Sequence, residues 1–412
     1  MADFALQGVR IIDHTIAWAG PQSTLLLADM GAEVIKIEAC NRPDVMRGGG
    51  LGRRAGLKFW EMGPWFLQLN RNKLGVTIDL GKPEGKALYL RLVRVSDAIV
   101  DNFTPRVMSN LGLGYEDLKR VKADIIVVHL PGYGSTGPYK DAPAYGDCIN
   151  AFSGLDNITG YPDKPNMRPG IAYGDPTSGF AAAFGLLSAL HYRRRTGKGQ
   201  VVDVSHLEAT SKAMTGLLDY AVNRRIQPPM GNKDGQFAPQ GCYPCRGDDR
   251  WAAITVAGDG DWLQFARVLG DPEWAHDPRF AGLDGRREHH EELDRLIGAW
   301  TCEHDRYEVM RLLQGAGIAA APVLEPGELP KDPHFAERGF FEASVHAYTG
   351  TKLLPGTAYK MSRTASGTRW PAPLFGEHND YVFKGLLGLS DAELAELTQR
   401  GVIGTEPSFA RG

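Results

Sequence analysis

The sequence VRIIDHTIAWAGPQSTLLLADMGAEVIKIE, residues 9–38, changes its apolar periodicity twice. Residues 9–13 form a short apolar run that predicts a strand, and residues 22–30 place apolar side chains at helical spacing up to Gly31. Residues 33–38 alternate apolar and charged side chains, which is typical of a second strand. This stretch therefore predicts one strand, helix, strand unit.

A second unit of the same kind follows along the chain. Residues 75–79, 98–100 and 124–128 predict strands, and residues 82–95 predict a helix with Pro83 in its first turn. Strands that alternate with helices form a parallel sheet covered by helices, and such a sheet binds ligands beyond the carboxyl ends of its strands. The predicted fold class is therefore α/β, with a Rossmann-like parallel sheet in a large domain.

The pattern changes after about residue 197. Residues 223–235 are polar and rich in Pro and Gly, which is typical of a linker, and shorter strands and helices up to residue 323 predict a smaller α+β domain. The predicted boundaries are a large domain at 1–210, a linker at 211–235, a small domain at 236–340, a return linker at 341–374, and a C-terminal segment at 375–412 that packs back on the large domain.

The composition is that of an ordinary soluble globular protein. The 412 residues carry a formal net charge of −3 and are 43% hydrophobic, with no Lys/Arg-rich stripe and no apolar run of membrane-spanning length. These features argue against nucleic acid and membrane partners. The N-terminus lacks the pattern of a secretory signal, so we expect a cytoplasmic protein, and the five cysteines predict reduced thiols.

Two short motifs invite interpretations that their surroundings do not support. Residues 132–137, GYGSTG, match the dinucleotide-binding pattern, but Pro138 and Pro143 predict a loop where that site requires a helix. We therefore expect no nicotinamide cofactor. The pair Cys242 and Cys245 precedes a predicted strand rather than a helix that would activate a thiol, so we expect neither redox nor zinc chemistry.

Asp175 lies where an extended run, residues 169–174, gives way to a predicted helix at 180–190. Aspartate is a favoured N-cap and Pro176 suits the first helical turn, so the local signals alone predict a helix cap. A carboxylate at a helix N-terminus is also a candidate nucleophile, because the helix dipole favours its ionised form. The two interpretations are compatible.

Seven segments extend the argument to nearly the whole chain. In order, they are AGP at 19–21 with LADMGAEVIKIE at 27–38, NRNK at 70–73 with TIDL at 77–80, DNF at 101–103 with LGLGYEDL at 111–118, GYG at 132–134 with GP at 137–138, GD at 174–175, GKGQVVDV at 197–204, and GEH at 376–378. Together they resemble the class III CoA-transferase family, the carnitine-dehydratase and formyl-CoA transferase group. The resemblance implies CoA thioesters as substrates, an interlocked homodimer, no permanently bound cofactor and no metal.

In the mechanism that the resemblance implies, Asp175 attacks the thioester of an acyl-CoA donor and forms covalent aspartyl intermediates. CoA then passes to a small carboxylic acid, and succinyl-CoA is a plausible donor on the family's pattern alone. Aspartate starts from a pKa near ~3.9, so we expect its carboxylate to be ionised without a separate base.

The resemblance also implies residues that hold CoA. Asn72, Lys73, Asn102 and Phe103 are similar to family segments that contact the nucleotide and diphosphate, and Lys140 is similar to a basic residue after the Gly-Pro turn. Each has a structural alternative: Asn102 suits a turn, Phe103 a core, and the lysines a solvated surface.

The chain departs from the family pattern at two positions. Some members carry arginine where this chain has Ala39 and Asn110. Arg42 and Arg106 lie nearby in sequence, so we expect them to supply charge to the CoA phosphates instead.

Four further residues are predicted to contact the acyl group. His14 and Trp18 follow the first strand, at the carboxyl end of the predicted sheet, although a buried histidine with structural partners is the alternative for His14. Formyl-CoA transferases cover the intermediate with a run of glycines, to which only Gly258 and Gly260 correspond here.

Two other functions remain open from the sequence. An α-methylacyl-CoA racemase pairs histidine with aspartate, but Tyr145 occupies the position of that histidine when the chains are aligned on Ser153 and Gly154. A non-catalytic acyl-CoA-binding protein would use Asp175 only as a helix cap. The sequence favours CoA transfer over both.

Overall fold

The computed structural model describes residues 3–48, 58–214 and 216–411. The chain divides into two compact units: unit 1 comprises Met1–Leu155, Arg168–Arg224 and Pro333–Gly412, and unit 2 comprises Asp156–Met167 and Arg225–Asp332. The domain boundaries drawn from the sequence stay a prediction. Within the described residues, no helix combines the length and apolar character that a membrane crossing requires.

Unit 1 is built on a six-stranded sheet. Its strands are β1 (Arg10–Asp13), β2 (Glu33–Glu38), β3 (Lys73–Thr77), β4 (Ala98–Asp101), β5 (Ile126–His129) and β6 (Val201–Asp203). All neighbours pair in parallel, in the order β3-β2-β1-β4-β5-β6. This confirms the predicted α/β class, and the order reverses between β1 and β4, where sheets of this kind bind ligands.

The helices of both units follow in chain order. They are α1 (Ala19–Asp29), α2 (Pro64–Leu69), α3 (Pro83–Arg94), α4 (Arg106–Asn110), α5 (Tyr115–Val121), α6 (Gly146–Phe152), α7 (Leu155–Ile158), α8 (Gly174–Thr196), α9 (His206–Ser211), α10 (Gly216–Asn223), α11 (Asp259–Val268), α12 (Leu283–Glu288), α13 (His290–Thr301), α14 (Arg306–Gly315), α15 (Pro333–Arg338) and α16 (Asp391–Gln399). Residues 207–222 suggested one helix, whereas the structure has two, α9 and α10.

Helices cover both faces of the sheet. Ile12 lies in one hydrophobic core with Tyr89 of α3, while its neighbour Ile11 lies in another with Ala19 of α1 and Ala182 of α8. Successive residues of a strand point to opposite faces. Helix α3 therefore packs on one face of the sheet, and α1 and α8 pack on the other.

The edge strand β3 is covered by the C-terminal part of the chain. The backbone N–H of Thr77 donates to Oδ1 of Asn379 at 3.0 Å, and the Thr77 hydroxyl donates to the Gly404 carbonyl at 2.6 Å. Two further strands of unit 1, β10 (Phe341–His346) and β11 (Gly350–Pro355), form an antiparallel hairpin. Covering an edge strand satisfies polar backbone groups that would otherwise pair with another chain.

Unit 2 has an antiparallel sheet of three strands, in the order β7 (Gln240–Pro244), β8 (Trp251–Thr255) and β9 (Ala319–Pro322). Its core joins Ile254 of β8 to Phe265, Ile297 and Val309 of helices α11, α13 and α14. Unit 2 is therefore a small α+β body with a core of its own.

Candidate active site

Asp175 is the second residue of α8 and not its N-cap. The cap position belongs to Tyr173, which makes no side-chain capping hydrogen bond. The Asp175 carboxylate instead accepts a hydrogen bond from the backbone N–H of Ala19, the first residue of α1, with Oδ1 and N 3.2 Å apart. The predicted N-cap was therefore wrong, because the carboxylate caps a neighbouring helix that local sequence signals do not reveal.

Small side chains allow α1 and α8 to approach this closely. Gly179, Ala182 and Ala183 are buried on α8, and a Cβ added to Gly179 would lie 2.8 Å from the carbonyl oxygen of Ala19. A larger side chain at that position would push the N-terminus of α1 away from Asp175. The close helix contact thus sets the hydrogen bond to the carboxylate.

The second carboxylate oxygen lies against helix α6. A Cβ added to Gly146, the first residue of α6, would lie 1.9 Å from Oδ2 of Asp175. Asp175 is only 9% exposed, and in the described part of the chain Ala19 provides the one hydrogen bond to its carboxylate. The carboxylate is thus buried, and little in its surroundings stabilises its negative charge.

Burial raises the pKa of Asp175 from 3.8 to about 6; the Ala19 N–H opposes this rise and the charge of Asp147 adds to it. The group is still mostly ionised at pH 7, but its pKa is well above the value of about 3.9 from which the sequence prediction started. Burial destabilises the charged form, which leaves a carboxylate more reactive than one surrounded by water.

The loop between β1 and α1 leads directly to the Ala19 amide. Asn102, just after β4, accepts a hydrogen bond from the Ile16 N–H at 2.9 Å and donates one to the Ile16 carbonyl at 2.8 Å. Asn102 therefore joins the loops that follow β1 and β4, at the position where the strand order reverses. Trp18 immediately precedes Ala19, and its ring lies 4.6 Å from the ring of Trp65, centroid to centroid.

A buried ion pair supports the same loop. The Lys36 ammonium contacts Oδ2 of Asp44 at 2.9 Å and donates to the Thr15 carbonyl at 2.7 Å. Oδ1 of Asp44 accepts from the Ala17 N–H at 3.2 Å. The alternating pattern of β2 did not reveal this pair, because a buried lysine with a partner and an exposed lysine look the same in a strand sequence.

The chain matches the model of one protein family over most of its length. The model of CoA-transferase family III matches residues 6–379. The chain belongs to CoA-transferase family III. It is therefore a transferase enzyme, as the seven sequence segments predicted, and the alternative of a non-catalytic binding protein is not supported.

Individual relatives agree with this family assignment. The chain is 37% identical over 399 residues to the succinyl-CoA–D-citramalate CoA-transferase of Chloroflexus aurantiacus, covering 97% of this chain and 98% of the relative. It is 30% identical over 400 residues to the succinyl-CoA:glutarate CoA-transferase of Mus musculus, covering 97% and 90%. A CaiB/BaiF family protein from Brucella suis is similar in structure, with a TM-score of 0.84 and 27% identity over 93% of this chain and 100% of that chain.

Lys73, predicted to bind CoA, is fully buried in this family III chain. Its ammonium group donates to Oδ2 of Asp13 at 2.9 Å, to Oδ1 of Asn70 at 3.0 Å and to the Pro21 carbonyl at 3.1 Å. A lysine ammonium has three donors, and all three are used. The structure therefore argues against a direct contact between Lys73 and a CoA phosphate.

Asn72 is also buried and has structural partners. Its amide nitrogen donates to Oδ1 of Asp29 at 2.7 Å and to the Gly367 carbonyl at 2.8 Å, while its oxygen accepts from the N–H groups of Arg369 and Trp370. Asn72 thus ties the segment at 367–370 to the sheet, which also argues against a contact with CoA.

The other predicted CoA residues lie at or near the surface. Phe103 is half-buried and packs against the core on the α3 side of the sheet. Arg42, Arg106 and Lys140 are exposed, and within the described ranges none of the three forms an ion pair. These cations are available to a charged ligand.

The predicted acyl-contact residues are divided between the two units. The His14 ring is buried against the ring of Tyr89, 5.0 Å between centroids, on the face of the sheet opposite α8, and burial lowers the pKa of His14 to about 4. Gly258 precedes α11 in unit 2 and Gly260 lies inside that helix, so the two do not form a free glycine loop.

Sequence reasoning missed Asn150 and His206. Asn150 is fully buried beside the turn that precedes Asp175, and Nε2 of buried His206 would lie 2.8 Å from a Cβ on Gly174. Asn150 falls in no recognisable motif, and Ser205 before His206 gives only a helix-capping signal. Among the described residues, no cluster of His, Cys, Asp and Glu is arranged to hold a metal ion.

Proposed function

We propose that this chain is a cytoplasmic CoA-transferase that moves CoA from succinyl-CoA to a small carboxylic acid through covalent intermediates on Asp175. The observation that carries the proposal is the buried Asp175 carboxylate, which accepts a single hydrogen bond from the residues that the structure describes and has a pKa raised by burial to about 6. The choice of donor rests on the names of the relatives from Chloroflexus aurantiacus and Mus musculus described above, both of which include succinyl-CoA.

In the first half of the reaction, a carboxylate oxygen of Asp175 attacks the thioester carbonyl of the donor. The carbon–sulfur bond breaks, which gives a succinyl-aspartyl anhydride and CoA thiolate. The thiolate then attacks the aspartyl carbonyl, forms an aspartyl-CoA thioester and releases succinate. When Oδ2 is the oxygen that carries the succinyl group, the negative charge that develops on Oδ1 during this thiolate attack lies next to the Ala19 N–H, which can stabilise it.

In the second half, the acceptor carboxylate attacks the aspartyl-CoA thioester and releases CoA thiolate again. The thiolate attacks the acceptor carbonyl of the new anhydride, which yields the acceptor's CoA thioester and regenerates the Asp175 carboxylate. No proton transfer is required in either half. This chemistry therefore needs an ionised carboxylate and exclusion of water, and the enclosure of Asp175 supports both.

The two ends of the substrate have different candidate neighbours. The aromatic pair of Trp18 and Trp65 adjoins the Ala19 amide, so we place the acyl group beside it. We place the CoA phosphates near Arg42, Arg106 and Lys140, which have no competing ion pairs within the described ranges. In this placement, Asn102 holds the loop between β1 and α1 through its two hydrogen bonds to Ile16, and this loop separates the acyl group from the CoA phosphates.

A homodimer, as the family resemblance implies, accounts for an unusual helix surface. Helix α8 buries its small residues against α1 and exposes large ones: Phe184 is 74% exposed and Phe180 is 55% exposed. Leu218 and Val222 of α10 are each 70% exposed. Apolar surface of this extent on single helices is typical of a protein interface.

The oligomeric state can be measured by analytical ultracentrifugation. We expect twice the chain mass for the wild type and a shift toward the monomer for Phe184→Glu. Val45→Glu, at a half-exposed apolar residue outside these helices, serves as the control. A wild-type chain that sediments as a monomer at micromolar concentration would contradict the dimer.

The nucleophile can be identified by intact-protein mass spectrometry after incubation with succinyl-CoA and hydroxylamine. We expect a hydroxamate at Asp175 in the wild type and no adduct in Asp175→Asn, which keeps the shape of the side chain but cannot form the anhydride. Transferase activity of Asp175→Asn should fall by at least ~10³-fold.

Activity of Asp175→Asn within tenfold of the wild type would rule out the proposed nucleophile. Exchange of an α-proton with deuterated water, without any adduct, would favour the racemase, although Tyr145 then has to replace the histidine of that mechanism. Adducts with acyl-CoAs other than succinyl-CoA would keep the mechanism and change the donor.

A further inference from the structure

Helix α6 carries two residues that contact the surroundings of Asp175 in different ways. Gly146 and Asn150 are four positions apart, so they lie on the same face of α6, and both are buried. Gly146 faces the carboxylate itself, and Asn150 faces the backbone that leads to it.

Asn150 bridges the turn that precedes Asp175. Its amide nitrogen donates to the Ile171 carbonyl at 3.2 Å, and its amide oxygen accepts from the Gly174 N–H at 3.2 Å. Only a side chain with both a donor and an acceptor can make these two contacts at once. The side chain is fully buried, so loss of the amide would leave the Gly174 N–H without this partner, while the Ile171 carbonyl would keep its hydrogen bond from the Tyr173 N–H at 2.9 Å.

Gly146 acts through the absence of a side chain. A Cβ at this position would lie 1.9 Å from Oδ2 of Asp175 and 2.5 Å from Cβ of Ala172. Both distances are far below van der Waals contact. The carboxylate can therefore occupy its present orientation only when residue 146 is glycine.

We propose that α6 orients the Asp175 carboxylate: Asn150 holds the turn from which Asp175 projects, and Gly146 provides the space for Oδ2. Both are positioning residues, since they act on the reaction through Asp175. The inference rests on the proposed role of Asp175 as the nucleophile. Its physical basis is that attack on a thioester requires a carboxylate oxygen held close to the carbonyl carbon and directed at one face of the carbonyl group.

The kinetic test compares the rate of adduct formation with the affinity for CoA. In Asn150→Ala and Gly146→Ala, we expect the aspartyl adduct with succinyl-CoA to form at least tenfold more slowly than in the wild type. The dissociation constant for CoA, measured by calorimetry, should stay within twofold. Ser153→Ala is the matched control, because Ser153 is a buried polar residue at the end of α6 whose hydroxyl, within the described residues, bonds to the Asn150 carbonyl and the Leu155 N–H and not to the turn before Asp175.

A second test does not depend on activity. Gly146→Ala should lower the thermal unfolding midpoint of the wild type, because the new methyl group meets the carboxylate. In an Asp175→Ala background that collision is absent, so the decrease should be at most half as large. Adding Ala172→Gly to both backgrounds removes the other close contact and isolates the effect of the carboxylate.

The outcomes distinguish the positioning role of α6 from the role of Asp175 as the nucleophile. If the wild type forms the adduct and both α6 variants form it at the wild-type rate, the positioning role is wrong. If the wild type forms no adduct, the proposed nucleophile is wrong, and the thermal comparison alone decides whether Gly146 controls the carboxylate. If Gly146→Ala lowers the thermal unfolding midpoint equally in the wild-type and Asp175→Ala backgrounds, the predicted collision between residue 146 and the carboxylate is wrong.

Discussion

Asp13 and Asp175 are both buried carboxylates of unit 1, but their surroundings are opposite. Asp13 accepts hydrogen bonds from the Lys73 ammonium and from the N–H and hydroxyl of Thr15, whereas Asp175 accepts one from the Ala19 N–H. Burial by itself would raise the pKa of Asp13, but its charged and hydrogen-bonding partners lower it to about 2. Burial of Asp175 is hardly opposed, and its pKa rises to about 6.

The difference distinguishes a carboxylate that stabilises the fold from one that is available for chemistry. A buried charge that is fully paired is held firmly in one protonation state and has no spare capacity for a substrate. A buried charge with one hydrogen bond costs stability, and such a cost is commonly retained where a group must react. We therefore expect opposite changes in the free energy of unfolding when each aspartate is replaced by asparagine, its neutral amide.

The largest expected effect on stability is that of Asp13→Asn. This variant leaves Lys73 buried without its counter-charge, so the free energy of unfolding should fall by about 3–5 kcal/mol, measured by urea denaturation at pH 7. Asp117→Asn removes an exposed ion pair with Arg120 and should change the free energy by less than ~1 kcal/mol. Equal effects of the two variants would show that Asp13 is not a structural ion-pair partner.

Asp175→Asn should instead increase the free energy of unfolding. A pKa raised from 3.8 to about 6 corresponds to about 1–3 kcal/mol of destabilisation when the group is ionised, so this variant should be more stable than the wild type at pH 7 by that amount. The folded-state pKa lies above the unfolded value, so the penalty is complete above pH 6 and disappears below about pH 4. Urea denaturation at pH 7 and pH 4 tests this, and a loss of stability at pH 7 would contradict it.

The raised pKa also predicts the pH dependence of the first chemical step. Only the ionised carboxylate attacks, so the rate of adduct formation should fall about tenfold per pH unit below pH ~6 and level off above it. Single-turnover measurements with saturating succinyl-CoA between pH 4.5 and 8 give the profile. A rate that stays constant down to pH 5 would mean that the carboxylate is better compensated than the structure indicates.

The smallest effects are expected at the exposed cations. Arg106→Gln and Lys140→Gln should each raise the KM for the acyl-CoA by about two- to fivefold with little change in kcat, because exposed charge pairs contribute about 1 kcal/mol or less. The effect should shrink as salt is added. Lys119→Gln, at an exposed lysine of α5, should leave KM unchanged, and a similar change in all three variants would argue against a defined phosphate site.

The sequence was sufficient for much of the fold because neighbouring residues carry the signals. Periodicity and turn residues located β1, β2 and α3 to within a few residues, and their alternation established the parallel sheet. The same local signals were misleading at Asp175, which they placed at the cap of its own helix. They also gave no indication that Lys36 and Glu38 of β2 are buried in ion pairs with Asp44 and Arg47.

In the candidate site, too, local sequence signals reveal some residues and not others. Asp175 was found from the sequence, because it follows glycine where a predicted extended run gives way to a predicted helix, within a recognisable set of segments. Asn150 and Gly146 were not found, since neither residue type has a chemical role that a sequence pattern announces. Their importance comes from contacts with a turn and a carboxylate that lie about 25 residues further along the chain.

The amino-acid sequence alone determined the order of strands and helices, the α/β class and membership of the CoA-transferase family, because these depend on local periodicity and on short motifs. Only the tertiary structure decided which carboxylate is paired with a charged partner and which is available to react. The Ala19 amide and Asp175 are 156 residues apart in sequence, and distant segments set the pKa of each acid, through charged partners at Asp13 and through burial at Asp175. Two aspartates that are identical as letters become a structural anchor and a candidate nucleophile because the folded chain surrounds them differently.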